Sequence, residues 1–460
     1  MPPVTRFAPS PTGYLHIGGL RTALFNYLYA RKHNGKFLMR IEDTDLLRNS
    51  KDAAKAIVES FKWVGLEYDG EIIYQSQRFD IYKQYAQSLI QSGKAYYCYM
   101  SKEELEALRE SQRASGQTPK YDNRYRDFTG EPPSGIQPVI RIKAPLEGEI
   151  SFVDGVKGKI SVQAKELDDF IIMRSDGSPT YNFVVTIDDA LMGVTDVIRG
   201  DDHTSNTPKQ IIIYNALGFD IPRFYHIPMI LNPEGKKLSK RDGAMGVMDY
   251  KLMGYLPEAI LNFLVRLGWS HEDKEIFSLQ EMIELFDCNA LNSSPSRYNQ
   301  EKFLWLNQHY IQQYPNDKLE VLLQDFGITP LKDKHKRDIL FAALKDRSKT
   351  LVEFASQQKE ILSRPQSYDE KMRAKLDTNT IIWLQNLLQQ SRFYEIEDVK
   401  AMEEFLHNFA ESHDIKIGKL MPALRLALLG KGGGIGVCEA IIIIGADETK
   451  QRIECFIDAR

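Results

Sequence analysis

The sequence predicts an α/β protein: a doubly wound parallel nucleotide-binding sheet, split by an α+β insertion and followed by an all-α C-terminal region. Three observations predict it. Strand-like and helix-like segments alternate over residues 4–64 and again over 195–231. Between them the texture changes to a charged helix, SKEELEALRESQ, a Gly/Pro-rich stretch and the short alternating runs VIRIKAP and KISVQA. Beyond about Gly254 the strand signals give way to helical ones.

The elements follow in order. Residues 4–7 form a short strand, and APSPTG after it forbids helix and forces a loop. A helix is expected over 19–31 from Leu20, Leu24 and Leu28, with Asn34-Gly35 as its stop. Residues 36–41 read as a strand, 42–45 as a polar loop, and Ser50 as the cap of a helix carrying Ala54, Ile57, Val58, Phe61 and Val64. The second half offers a strand at 195–199, a helix at 206–217 and a strand at 224–231. Helices are expected over 257–267, 301–313 and 338–354.

At 460 residues the chain has the length of about three domains. With 43% hydrophobic and 27% charged residues it falls outside the disordered, collagen-like and coiled-coil classes. Its net charge of −4 does not exclude nucleic acid, because basic residues gathered on one face suffice for binding. Cys98, Cys288, Cys438 and Cys455 stand far apart, which argues against a disulfide framework or a cysteine-only zinc site and points to the reducing cytosol. The first residues carry no signal or transit pattern. The longest aliphatic run, 440–444, is far below the roughly 20 residues a membrane helix requires. A cytoplasmic protein with no membrane partner is expected.

The phosphate loop G-x-x-x-x-G-K-[ST] is absent, and Gly432, Gly433, Gly434 and Gly436 lack the spacing of a dinucleotide fingerprint and read as a flexible turn. RFAPSPTGYLHIGG instead joins a strand, a proline-stiffened loop and His16-Ile17-Gly18-Gly19 at a helix start. Free N–H groups at a helix N-terminus attract anions. His16 in the first turn adds a directional donor, and Gly18 and Gly19 let a flat base approach the backbone. Alone, this segment reads better as a capping turn with an incidental histidine. A second segment, PEGKKLSKRDG at 233–243, carries Lys236, Lys237, Lys240 and Arg241 between two glycines. A loop of this kind can close on polyphosphate, although most short charge runs are solvated surface.

Together, and with a split nucleotide fold between them, the two segments closely resemble the His-Ile-Gly-His and Lys-Met-Ser-Lys-Ser motifs of class I aminoacyl-tRNA synthetases. The resemblance sharpens to the bacterial glutamyl-tRNA synthetase family through FLMRIEDTD, SDGSPTYNF, LMGVTDVIRGDDH, NTP and KKLSKRDGA, and continues more thinly through GYLPEAILNFLVRLGWS and MPALRLALLG. It implies ATP-dependent activation of L-glutamate to glutamyl-adenylate and transfer to the 3′ end of tRNA(Glu), giving AMP and diphosphate. It also implies a division into a first catalytic half (1–97), an inserted acceptor-binding subdomain (98–169), a second catalytic half with the lysine loop (170–253), a helical stem-contact domain (254–330) and a helical anticodon-binding region (331–460).

On that resemblance Arg6 and Arg199 are aimed at the substrate, since arginine's planar fork pairs bidentately with a carboxylate. Each could instead be a structural ion pair, and without the resemblance that is the stronger reading for Arg199. Glu42 opens a loop after a strand, where an open α/β sheet has its ligand crevice, and suits an ammonium. Ser10 and Tyr181 match other amino-acid-site positions, although a tyrosine there could equally be packing. His16 and Lys240 are expected to stabilise charge on the phosphates during adenylate formation. Gly18, Gly19, Asp202, Lys237 and Ser239 are expected around ATP, with Asp202 and His203 near ribose hydroxyls. Magnesium is expected to travel with ATP, without an all-protein cage.

Some relatives carry zinc on a Cys-x-Cys pair and a later Cys-x-His. The corresponding positions here are Cys98, Met100, Tyr125 and Asp127, so no structural zinc is expected and Cys98 reads as a buried small hydrophobe. Three basic clusters, Lys332/Lys334/Lys336/Arg337, Lys345/Arg347/Lys349 and Lys416/Lys419/Arg425, are candidates for salt-sensitive phosphate contacts, with some of them solvated helix faces. Segment 346–351 resembles a family segment associated with anticodon recognition, which makes Arg347 a candidate reader of an unstacked base. A monomer is expected.

Four alternatives accompany this reading. A truncated relative that glutamylates a tRNA base is disfavoured by the roughly 200 residues after the lysine loop. Glutaminyl-tRNA synthetase is disfavoured because a neutral amide would leave the Arg199 charge unpaired. A non-discriminating or tRNA(Gln)-specific glutamylating paralogue would differ in a few anticodon contacts. A catalytically inactive tRNA-binding regulator is opposed by intact His16, Lys237 and Lys240.

Overall fold

The computed structural model describes residues 1–45, 50–238 and 245–459. The chain falls into two compact units, Met1–Tyr250 with Ile260–Asn299, and Lys251–Ala259 with Gln300–Arg460. The first unit opens with β1 (Val4–Phe7), α1 (Ile17–Lys32), β2 (Lys36–Ile41), α2 (Lys51–Val64) and β3 (Ile73–Tyr74). The strands pair in parallel, β1 with β2 and β2 with β3. Helix α1 starts two residues before its expected beginning because His16 is its cap: Nδ1 accepts from the Gly19 N–H at 3.2 Å. Ser50 caps α2 as its sequence context implies, accepting from the Ala53 N–H.

The chain continues through α3 (Phe79–Gln91), β4 (Ala95–Cys98), α4 (Lys102–Ala114), β5 (Val139–Ile142), β6 (Glu149–Asp154), β7 (Gly158–Gln163) and β8 (Ile171–Met173). It then forms α5 (Tyr181–Leu191), β9 (Asp196–Gly200), α6 (Thr207–Leu217) and β10 (Arg223–Ile227). Strands β9 and β10 are parallel partners. The Thr195 N–H donates to the Val4 carbonyl at 3.0 Å, and the Val4 N–H to Thr195 Oγ1 at 2.8 Å. The strands form the sheets β1-β2-β3 and β7-β6-β10-β9, and these bonds set β9 beside β1, so that the two meet as the halves of a doubly wound fold. The last strand stops at Ile227, short of the expected 231, because Pro228 has no N–H to extend a ladder.

Strands β4, β5 and β8 form a separate antiparallel sheet. The β6–β7 hairpin departs from the sequence expectation. Instead of joining that inserted sheet it lies against β10, through the bridge Phe224–Asp154. Gly155 permits the approach: a Cβ there would stand 2.2 Å from the Tyr225 ring, and the Gly155 N–H reaches the Phe224 carbonyl at 2.8 Å.

Among its described residues the second unit is helical. The helix expected over 338–354 is two helices, Lys334–Lys345 and Leu351–Leu362. Thr350 breaks the run by capping the second, its hydroxyl accepting from the Glu353 N–H at 3.2 Å. The aliphatic run 440–444 ends the helix Val437–Ile444, with the glycine cluster turning ahead of it. No helix among the described residues is long and apolar enough to cross a membrane.

Substituting Gly155→Ala should destabilise the first unit by about 1–3 kcal/mol, because the added methyl forces the hairpin or the Tyr225 ring to move. Urea unfolding followed by circular dichroism measures this, and an unchanged midpoint would show that the ring gives way freely.

Candidate active site

The carboxyl ends of β1 and β9, the loop after β1 and the starts of α1 and α5 line a cleft of about 360 Å³. This is where a parallel sheet leaves backbone groups and helix N-termini available to a ligand. Ten of the sequence-predicted residues line it: Arg6, Ser10, His16, Gly18, Gly19, Glu42, Tyr181, Arg199, Asp202 and Lys237, together with His203. Ser239 and Lys240 lie outside the described residues. Lys237 Nζ stands 3.6 Å from Asp202 Oδ2. On the far side of 239–244, Gly246 bridges His16 and the Val247 N–H donates to the Leu15 carbonyl at 2.7 Å. Residues flanking the lysine segment on both sides therefore stand at the His16 end of the cleft.

The imidazole of His16 uses Nδ1 as the acceptor for its helix cap, so the neutral ring carries its proton on Nε2. Deeper in the cleft the charges interlock. Arg6 donates from Nε and Nη2 to the two oxygens of Asp189 at 3.0 and 3.2 Å, and Arg40 Nη1 reaches Asp189 Oδ1 at 2.7 Å. Arg40 Nη2 also donates to Glu42 Oε1 at 3.3 Å. Burial alone would raise the Asp189 carboxyl, but the guanidiniums of Arg6 and Arg40 overcome it and hold that carboxyl below the ordinary range. At Glu42 burial wins over the same arginines, and its carboxyl is pushed up.

Arg199 differs. It is 5% exposed, and no carboxylate among the described residues pairs with it. Its Nε donates to His226 Nε2 at 3.1 Å, and its Nη2 to Thr207 Oγ1 at 2.8 Å and Gln210 Oε1 at 2.9 Å. Nη1 is buried without a partner among the described residues. Burial pulls its pKa down from the ordinary arginine value. The structural ion pair that the sequence suggested more strongly for Arg199 belongs to Arg6 instead. Within this cluster the guanidiniums of Arg6, Arg40 and Arg199 face the carboxylates of Glu42 and Asp189, an excess of one positive charge.

Tyr181, at the start of α5, reaches His203 Nδ1 with its hydroxyl at 3.1 Å, so its polar end is engaged at the site rather than only packed. Burial, helped by the positive charge of Arg199, lowers His203 to about 4. Asn206 Nδ2, which can only donate, also lies 3.4 Å from Nδ1, so the neutral ring accepts there, from the tyrosine hydroxyl as well. Arg40, Asp189 and His226 escaped the sequence reading. Their signal is a charged or titratable residue inside an apolar run: KFLMRI, NFVVTIDDAL and RFYHI.

The zinc-relative positions do not fit a metal. Cys98 donates weakly to the Tyr121 hydroxyl at 3.4 Å within a cluster that also packs Met100 and Tyr125, while Asp127 pairs with Lys143 at 3.1 Å. Among the described residues no group of three or more His, Cys, Asp or Glu could hold a metal ion.

In the second unit Arg347 is exposed on the turn between Lys334–Lys345 and Leu351–Leu362. Arg337, grouped with the phosphate-contact candidates, instead pairs with Asp317, Glu320 and Asp338. Its charge is already compensated within the unit. Lys345 likewise donates to Asn316 Oδ1 at 2.7 Å, and Lys419 to Asp377 at 2.6 Å.

Comparison with known proteins covers the whole chain. The family described as tRNA synthetases class I (E and Q), catalytic domain, matches residues 3–305, and the anticodon binding domain matches 300–457. Glutamate–tRNA ligase 1 of Helicobacter hepaticus is 70% identical over 455 residues, covering 99% of this chain and 98% of its own. Glutamate–tRNA ligase 1 of Wolinella succinogenes is 66% identical over 454 residues, covering 98% and 97%. Among solved structures, a glutamate tRNA ligase from Elizabethkingia meningosepticum in complex with its amino acid superposes with a TM-score of 0.90 at 33% identity, covering 100% of this chain and 99% of that one.

The site predicts an uncharged His203 across neutral and mildly acidic pH. In imidazole NMR titrations, with the resonance assigned by its loss in His203→Asn, no midpoint should appear near the ordinary value of about 6.5. A midpoint there would show that the Tyr181 contact and the neighbouring arginines leave the ring unperturbed.

Proposed function

The chain belongs to the class I tRNA synthetases of the glutamate and glutamine group, and from that premise we propose the reading its cleft supports best. It is a glutamate–tRNA ligase, which activates L-glutamate with ATP and transfers it to the 3′ end of tRNA(Glu), releasing AMP and diphosphate. The observation that carries the reading is Arg199, a buried guanidinium with an open Nη1 and no carboxylate partner among the described residues. A glutamate side-chain carboxylate supplies the missing negative charge through a charge-assisted hydrogen bond. A glutamine amide would leave the cation uncompensated, which is expensive in a buried site.

The rest of the substrate follows from the remaining charges. Glutamate carries two carboxylates and one ammonium, a net charge of −1 that complements the excess positive charge of the cleft. Glu42 faces the ammonium, while Arg6, anchored by Asp189, and Ser10 and Tyr181 complete the amino-acid subsite. In activation an α-carboxylate oxygen attacks the α-phosphorus of ATP, and the bond to the diphosphate breaks with its electron pair leaving on diphosphate. His16 through Nε2–H and Gly18 through its backbone N–H present donors to the phosphates at the start of α1, beside Gly19, whose own N–H is taken by the His16 cap, and Lys237, Ser239 and Lys240 add donors from the lysine segment. Asp202 suits a ribose hydroxyl. Magnesium enters with ATP as part of the substrate. In the second step a ribose hydroxyl at the tRNA 3′ end attacks the adenylate carbonyl, forming the new C–O bond as AMP leaves.

The tRNA assignments belong to the same proposal: an acceptor-binding role for 98–169, stem contacts for 254–330, and anticodon reading in 331–460 with Arg347 as one reader. Reduced, widely spaced cysteines suit a cytosolic enzyme, acting as a monomer.

Arg199→Ala should raise the KM for glutamate by about 10-fold to 100-fold, the loss of a hydrogen bond to a charged group, while the KM for ATP stays within about twofold. ATP–diphosphate exchange with tRNA(Glu) present measures both, and unchanged glutamate affinity would refute the assignment. Lys240→Ala should slow activation by roughly 10²–10³ with tRNA affinity retained. A normal single-turnover activation rate in that variant would remove Lys240 from the site.

A further inference from the structure

The guanidinium of Arg199 is held by a chain of buried groups that begins on a hairpin at the edge of the sheet. Arg199 and His226 are register partners on β9 and β10 and stand side by side on one face. His226 Nδ1 lies 2.6 Å from Asp154 Oδ2, with both side chains fully buried. Its Nε2 lies 3.1 Å from Arg199 Nε and 3.2 Å from Thr207 Oγ1. Arginine Nε is always a donor, so Nε2 must be the acceptor and the ring proton must reside on Nδ1, where the Asp154 carboxylate receives it. Asp154 also has a second task. Its Oδ1 accepts the Val156 and Lys157 N–H groups at 2.9 and 2.8 Å and closes the β6–β7 turn.

We propose that Asp154 and His226 are positioning residues for glutamate recognition: Asp154 locks His226 in the Nδ1–H tautomer, and the Nε2 lone pair then fixes Arg199 with Nη1 left for the substrate carboxylate. This rests on the reading of Arg199 given above. The three groups act in series. An acceptor is required at one end, and Asp154 Oδ2 is that group, because an acceptor facing Nδ1 is what leaves Nε2 unprotonated. The ring in the middle carries a donor toward Asp154 and an acceptor toward Arg199, and it is the acceptor that Arg199 requires. With Nε and Nη2 satisfied by neutral acceptors, the guanidinium is oriented without being neutralised, and its charge remains available to a ligand. Burial keeps His226 neutral beside that charge, pulling its pKa down despite the Asp154 hydrogen bond. The hairpin that Gly155 lets against β10 therefore supplies the first member of the chain.

The test separates tautomer control from mere packing. Asp154→Asn retains an Oδ1 for the turn but places an amide donor against Nδ1. The ring must then carry its proton on Nε2, and two donors, Nε2–H and the Arg199 Nε–H, face each other. The KM for glutamate should rise about tenfold, as expected for a buried donor left unsatisfied, with the KM for ATP within about twofold. His226→Gln puts an amide oxygen where Nε2 was, an acceptor that needs no tautomer lock, and should stay within about threefold of the parent. The double variant Asp154→Asn/His226→Gln should then be no worse than His226→Gln alone.

A normal glutamate KM in Asp154→Asn, or an Asp154→Asn defect that persists undiminished in the double variant, would overturn the proposal. Should Asp154→Asn fail to fold, His226→Leu against His226→Gln decides it: only the leucine, which lacks an acceptor, should lose glutamate affinity, and equal losses would refute the chain. Arg199→Ala distinguishes the two levels. Unimpaired glutamate binding in that variant would retire the glutamate reading itself, whereas an impaired Arg199→Ala beside a normal Asp154→Asn retires only the positioning role.

Discussion

Burying a guanidinium without a counter-ion costs several kcal/mol per charge, and a fold that keeps one must satisfy its hydrogen bonds with neutral groups. Arg199 is such a group. His226, Thr207 and Gln210 each accept from it, and none of them carries negative charge. The neighbouring Arg6 and Arg40 are treated oppositely, both drawn onto Asp189. Among these three arginines, two are paired with Asp189 and Arg199 is held by neutral acceptors alone.

The doubly wound sheet makes this arrangement possible. Parallel strands deliver their carboxyl ends to one edge, so Arg6 and Arg199, nearly 200 residues apart in sequence, arrive on adjacent strands. The start of α1 faces the same edge with His16 as its cap, and both flanks of the lysine segment meet it there, Lys237 beside Asp202 and Gly246 beside His16. The first motif and the described part of the second, Lys237 and Leu238, therefore line a single cleft in the first unit. Membership of that family follows from matches that run the length of the chain.

Charges elsewhere show why counting basic residues is a poor guide to a nucleic-acid surface. Arg337 is bound by three carboxylates, whereas Arg347, ten residues on, is exposed on a turn. Beside the inserted sheet, Cys98 at the end of β4 packs with Tyr121, Met100 and Tyr125 in a small cluster.

Local chemistry was readable from the sequence alone. The strands Val4–Phe7 and Lys36–Ile41, the Ser50 cap and the doubly wound class follow from periodicity, prolines and capping residues, all of which act over a few positions. The family was readable too, from motifs of consecutive residues. Tertiary structure decided the pairings. Asp189 meets Arg6 across 183 residues, and Asp154 meets His226 across 72. The hairpin joined β10 rather than the inserted sheet because Gly155 leaves room beside Tyr225. A sequence lists which groups can carry charge; which of them are neutralised depends on neighbours that only folding selects, because a buried charge responds to atoms within a few ångströms and not to its distance along the chain.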